Sequence, residues 1–147
     1  MASRALLAAL VLAVPISAAH AEPWNGIAPG TSTEKAVLKR FGPPSKRLKE
    51  KGRAVFSYQG AQAIKGTKQS NFYFDAKGVV QEIHVFPKNT VPVDVVQSTF
   101  GKDYVKRLTD DFHTYYWYGK RGLVVFLNGD AKTVYSFIYT VPGATRG

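Results

Sequence analysis

The sequence predicts a two-layer α+β fold. Two tandem α-βββ units would merge their strands into one antiparallel sheet of six to eight strands, with short helices on one face. Three observations predict it. A short amphipathic stretch at residues 27–44, IAPGTSTEKAVLKRFGPP, has helix start and stop signals, and a degraded copy recurs at residues 89–102. After each copy come runs in which aromatic and β-branched residues alternate with polar ones. Aligning Phe41-Gly42 with Phe100-Gly101 brings Val37 onto Val96, and with a shift of one residue Phe56 and Tyr58 match Tyr116 and Tyr118.

Residues 1–21 read as an export leader. Arg4 supplies the charge, residues 5–14 the apolar stretch, and Ala19-His20-Ala21 the small-residue cleavage site, so the mature chain would begin at Glu22. Residues 22–87 would form the first unit, 88–142 the second, and 143–147 a frayed tail.

In the first unit, Thr31 and Glu34 have capping-box spacing ahead of the apolar stripe Ala36, Val37 and Phe41. Gly42 suits the end of the helix, and Pro43 and Pro44 forbid its continuation. Strands are expected at 54–58, 71–75 and 79–86, with a weak additional strand at 45–49 and a polar loop over 60–70. In the second unit Pro92 suits the first helical position, and Val93, Val96 and Phe100 make the apolar face. Strands are expected at 113–118, 123–127 and 133–141, with Asn128-Gly129 as a two-residue type I′ turn.

The helix motif resembles that of the SmpA/OmlA (BamE) envelope proteins and the β-lactamase-inhibitor-protein (BLIP) superfamily, through Gly30, Thr31, Val37, Leu38, Gly42 and Pro44. The resemblance implies a helix packed on a sheet in an exported protein that binds other proteins. The inhibitor branch grips its enzyme with a concave sheet face and projecting loops. Two features depart from the family: the chain has no cysteine, hence neither the disulfides of the inhibitor repeats nor a lipoprotein anchor.

Twenty Lys+Arg against ten Asp+Glu give a formal net charge of +10, which favours acidic partners. The densest basic run is Lys46, Arg47, Lys49, Lys51 and Arg53; Lys106-Arg107 occupies the matching place in the second unit, so the charges could form one stripe. Export argues against a nucleic-acid partner, whereas lipopolysaccharide or an anionic glycan would use the same cations.

Strand alternation sorts the side chains into two faces. Phe56, Tyr58, Phe72, Phe74, Ile83 and Val85 would lie under the helices, with Tyr116, Tyr118, Val124, Phe126, Phe137 and Tyr139. The opposite face would carry Val55, Ser57, Tyr73, Glu82 and His84, then Tyr115, Trp117, Leu123, Val125 and Ile138. A merely wetted face would be polar, and the second set is not, so it marks an interaction surface. Tyr73, His84, Tyr115, Trp117 and Ile138 are the candidate binding residues. Partial cover by loops, by the Trp24 segment or by a second copy of the chain is the alternative.

Catalytic readings carry less. Ser32-Thr33-Glu34-Lys35 is formally S-x-x-K, but no S-D-N or K-T-G follows, and a helix cap explains it. Asp110, Asp111 and His113 have metal-ligand chemistry without a second histidine cluster. No phosphate-cradling glycine loop is present. The expectation is therefore a non-enzymatic, periplasmic or secreted binding module without metal or cofactor. Its partner would be another envelope or secreted protein, with an anionic envelope polymer as the alternative.

Overall fold

The computed structural model describes residues 20–143. Most of the expected leader (1–19) and of the expected tail (144–147) lies outside them. In chain order the elements are α1 (Glu34–Phe41), β1 (Lys46–Glu50), β2 (Arg53–Gln59), a 3-10 turn (Gly60–Gln62), β3 (Thr67–Phe74) and β4 (Val80–Pro87). Then follow α2 (Val93–Phe100), β5 (Val105–Leu108), β6 (Thr114–Tyr118), β7 (Leu123–Leu127) and β8 (Val134–Thr140). All eight strands form one antiparallel sheet in the order β1-β2-β3-β4-β8-β7-β6-β5. The fold is α+β, with both short helices packed against one side.

Each helix is followed by four strands rather than three. The extra strands, β1 and β5, are the two edges of the sheet and are exposed along their whole length. With neither face buried they carry no hydrophobic alternation, so β1 gave a weak sequence signal and β5 none. β3 likewise begins inside the expected 60–70 loop. Its polar first half, Thr67 to Ser70, is fixed by pairing with β2 and β4 rather than by its own pattern.

Both helices start later than the sequence suggested. Thr33, not Thr31, caps α1, its Oγ1 accepting from the Ala36 N–H at 3.3 Å. Pro92 is the cap residue of α2 rather than its first helical residue. The cause is the same in each half. Before α1, Gly30 N–H donates to Val80 C=O at 2.7 Å, and Val80 N–H returns to Ser32 C=O at 2.8 Å, which holds residues 29–32 in a turn against β4 and out of the helix. Before α2, Val134 N–H donates to Val91 C=O at 2.9 Å. Matching bridges, Thr33 to Val79 and Pro92 to Thr133, tie the helix starts to the sheet.

The helix ends repeat as well. Gly42 (φ 76°, ψ −166°) and Gly101 (φ 85°, ψ −173°) occupy a backbone region essentially reserved for glycine. Each of their carbonyls accepts a 2.8 Å hydrogen bond from a buried tyrosine, Tyr58 in the first half and Tyr118 in the second. Val37 and Val96 each bury fully beneath their helix.

The core lies between helices and sheet. It contains Phe56, Tyr58, Phe72, Phe74, Ile83 and Val85 from the first half, and Tyr116, Tyr118, Leu123, Val125, Leu127 and Tyr139 from the second. The expected assignment of β7 is therefore reversed: Leu123 and Val125 face the helices, while Val124 and Phe126 face the other way. The sequence Leu-Val-Val-Phe-Leu is apolar throughout, so it has no alternation to read. Its orientation comes from pairing Val125 with Tyr116 and Phe137. Trp24 packs on Phe41 and Phe72 at 5.9 and 6.0 Å between ring centroids, on the helix side, so its segment leaves the other face open.

The Asn128-Gly129 turn is also corrected. The β7–β8 connection spans residues 128–133 and is closed by Asn128 N–H to Thr133 C=O and Ala131 N–H to Asn128 C=O, both 2.8 Å. Its left-handed residue is Ala131, at φ 56°. Side chains build the longer loop, with Asp130 accepting from Lys132 N–H and Asn128 donating to Thr133.

Candidate functional site

The face turned away from the helices holds the candidate site. Strand pairing lays its side chains in rows. The central row runs Lys46, Ser57, Asn71, His84 across β1 to β4, then Ile138, Val124, Trp117, Val105 across β8 to β5. Its first half is polar and its second half apolar. A flanking row in the first half carries Leu48, Val55, Tyr73 and Glu82, and the matching row in the second carries Arg107, Tyr115, Phe126 and Ser136.

In the first half, charged groups close over one aromatic ring. The Arg53 guanidinium stacks 4.7 Å from the Tyr73 centroid and lies 3.7 Å from Glu82 Oε1. Glu82 Oε2 sits 2.7 Å from His84 Nε2, and the imidazole packs 4.5 Å from the Tyr73 ring. The Tyr73 hydroxyl donates to Glu50 Oε2 at 3.2 Å. Burial pushes the Tyr73 phenol up, and the Glu50 carboxylate adds to the rise. Tyr73 is thus on the expected face but sealed within it, at 4% exposure, and Ile138 is similarly covered at 6%. Of the five candidate residues, Tyr115, Trp117 and His84 keep partial exposure.

In the second half the surface is aromatic. Tyr115 and Phe126 pack at 5.2 Å, and the Arg107 guanidinium lies 4.3 Å above the Trp117 ring. Gly119 leaves room for the indole: a Cβ there would come within 3.1 Å of Trp117 Cζ2. Beside these rings is a hollow of about 670 Å³, lined by His84, Phe86, Phe126, Tyr135, Ile138 and His113. It brings His84 and His113 to one place. Phe86 and Tyr135 meet edge to face at 5.7 Å across it. Sequence reading missed this hollow, because it assigned Phe126 to the helix side and took neither Phe86 nor Tyr135 as a face residue.

The basic residues do not form one stripe. Lys46, Arg47 and Lys49 lie on β1, and Lys106 and Arg107 on β5, at opposite edges of the sheet. At a strand spacing near 4.8 Å the two groups are on the order of 30 Å apart. Their matching is also shifted by one residue. Arg47 pairs with Phe56 and stacks on its ring, toward the helix side, whereas the residue paired with the matching Tyr116 is Lys106. Arg107 therefore comes out on the open face. Lys51 lies in the β1–β2 turn, with φ 49°.

The weighed chemistry finds local explanations. Ser32 Oγ accepts from Ala28 N–H at 2.9 Å, and Thr33 caps α1, so both hydroxyls of the S-x-x-K stretch serve the backbone. Asp111 lies 3.3 Å from His113, and its carboxyl is held below the usual range mainly by the Thr109 hydroxyl. Among the described residues no three His, Cys, Asp or Glu side chains cluster as metal ligands would. Nor is any described helix long and apolar enough to cross a membrane.

The class this architecture defines is a helix-backed antiparallel sheet with one open face. Among solved structures, the chain is similar to a DUF4309 family protein (YjgB) from Bacillus subtilis, with a TM-score of 0.59 at 15% identity, over 83% of this chain and 88% of that one. At that identity the likeness is one of fold. An extracellular protein containing a SCP domain from Bacillus anthracis also matches, at a TM-score of 0.49 and 10% identity, over 75% of this chain but 43% of that one. No family model matches the chain, and no curated protein matches it.

Proposed function

We propose that the chain is an exported, non-enzymatic protein-binding module of the BamE-like and BLIP-like type, which engages another envelope or secreted protein through its open sheet face. Envelope assembly and enzyme inhibition are the two roles that suit such a module. The observation that carries the reading is the aromatic half of that face. Tyr115, Trp117 and Phe126 continue into a 670 Å³ hollow that no described element covers. Interface energy concentrates on such aromatic anchors, with arginine beside them. The leader pattern at residues 1–21 supports a periplasmic or secreted location.

A second reading, binding of lipopolysaccharide or anionic glycan, draws on Lys46, Arg47 and Lys49. They stand on an exposed edge with no carboxylate in ion-pair range among the described residues. Capture from an envelope fraction separates the two readings. Trp117→Ala should abolish recovery of a protein partner while leaving far-ultraviolet circular dichroism intact. Replacing Lys46, Arg47 and Lys49 by Gln should leave that recovery intact. If the triple variant alone loses its partner, and binding of wild type falls steeply with salt, the protein-face reading fails and the polyanion reading replaces it.

A further inference from the structure

β5 ends the sheet, and no described backbone group bonds to it from the side away from β6. Open strand edges are templates for another strand. This one has a particular pattern, Val105-Lys106-Arg107-Leu108, apolar–basic–basic–apolar, with every residue exposed. Val105 is 51% and Leu108 61% exposed. Just beyond, Phe112 stands 83% exposed in a left-handed conformation at φ 63°. Its loop is not loose: Phe112 N–H donates to Thr109 C=O, and His113 N–H to Thr109 Oγ1, both at 2.9 Å. Three of the six large apolar side chains exposed among the described residues therefore gather along this edge. The matching edge β1 has a two-residue turn in place of that loop, and Leu48 as its only large apolar residue.

Charge decides what can pair there. Two copies of β5 docked antiparallel would set Val105 against Leu108, which suits them, but Lys106 against Arg107, which repels. Docking on β1 would oppose the same cations to Lys46, Arg47 and Lys49. Neither Lys106 nor Arg107 has a carboxylate in ion-pair range among the described residues. An extended strand reading apolar–acidic–acidic–apolar would satisfy all four positions, with one carboxylate on each face of the sheet.

We propose that the β5 edge is a docking edge for an extended acidic segment of another protein, which adds as a further strand and lays its end against Phe112. The edge borders the open face, which Val105 and Arg107 also reach, but the docking runs through its unpaired backbone groups, so the inference stands without the reading given for that face.

Two measurements test it. In the first, a capped decapeptide with the core Val-Glu-Asp-Leu is titrated into the full mature chain and followed by amide NMR. Shifts should centre on residues 105–108, and binding should weaken roughly tenfold or more when the core becomes Val-Lys-Lys-Leu or its backbone amides are methylated. In the second, Lys106→Glu should turn self-repulsion into self-pairing, Glu against Arg107 twice over, and sediment as a salt-sensitive dimer. Adding Arg107→Glu should return the monomer and switch the peptide preference to the basic core. Equal binding of acidic and basic peptides, or shifts centred elsewhere, overturns the proposal. So does a Lys106→Glu protein that stays monomeric and binds no peptide, which would leave the two cations as guards against aggregation only.

Discussion

Seen from the helix side the two halves of the sheet are near copies; seen from the open side they are opposites. Beneath the helices a valine plugs each helix, a glycine ends it, and a tyrosine hydroxyl locks onto the glycine carbonyl at 2.8 Å. On the open side the first half gathers Arg53, Glu82 and His84 around Tyr73, whereas the second offers Tyr115, Trp117 and Phe126. Packing density constrains the back, where a change of one methylene is felt. The front carries no such packing against a helix, and there the halves differ.

The largest expected difference lies in the core. Phe72, in contact with Trp24, Phe41 and Tyr58, occupies in the first half the place that Val125 holds in the second. Phe72→Ala should cost roughly 3–5 kcal/mol in a urea melt. Val125→Ala should cost about 2 kcal/mol. Equal losses would mean that the aromatic cluster around Trp24 adds nothing to the first half.

The paired tyrosines sharpen the comparison in alkali. Burial, helped by Tyr104 and Tyr116, pushes the Tyr118 phenol up to about 12. Burial also raises Tyr58, but Arg47 works against the rise. A phenol whose pKa is higher when folded contributes fully below its unfolded value, near 10. That contribution fades as pH climbs from about 10 toward 12, as the unfolded chain ionises first. Melts between pH 9 and 12 should show this loss, and Tyr118→Phe should flatten it more than Tyr58→Phe does. At pH 7 each variant should lose about 1 kcal/mol with its hydrogen bond. A flat alkaline profile in the wild type would contradict the burial of Tyr118.

The smallest effect is expected at the stacked arginines. Arg53→Gln breaks a contact with Glu82 as well as with Tyr73, while Arg107→Gln loses only its seat on Trp117. Both groups are partly solvated, so both changes should stay within about 1 kcal/mol, with Arg53 the larger. If Arg107 proves larger, the indole depends on that stack for its orientation.

Much of the back of the molecule was legible in the residues. Phe41-Gly42 and Phe100-Gly101 announced both helix ends, and alternation placed Phe56, Tyr58, Phe72, Phe74 and Ile83 correctly. The failures share a cause. Leu123 to Leu127 is apolar on both sides, and β1 and β5 are exposed on both sides, so none of the three carries a period. Their placement comes from neighbours: Tyr116 orients β7, and the register of β5 turns Arg107 outward although its sequence matches Arg47. The candidate site was half legible for the same reason. Trp117 and Tyr115 were found, while Phe126 was assigned to the wrong face, and the sealing of Tyr73 depends on a guanidinium that no pattern could position.

The residues that follow the expected leader are themselves stitched into the fold. Glu22 N–H is bonded to Arg121 C=O at 2.8 Å, its carboxylate meets the Arg121 guanidinium at 3.0 Å, and Ile27 is buried a few residues on. A peptidase cutting after Ala21 needs that same stretch slack and accessible. Were the expected leader cut after Ala21, the cut would have to come before that stretch closes onto the domain.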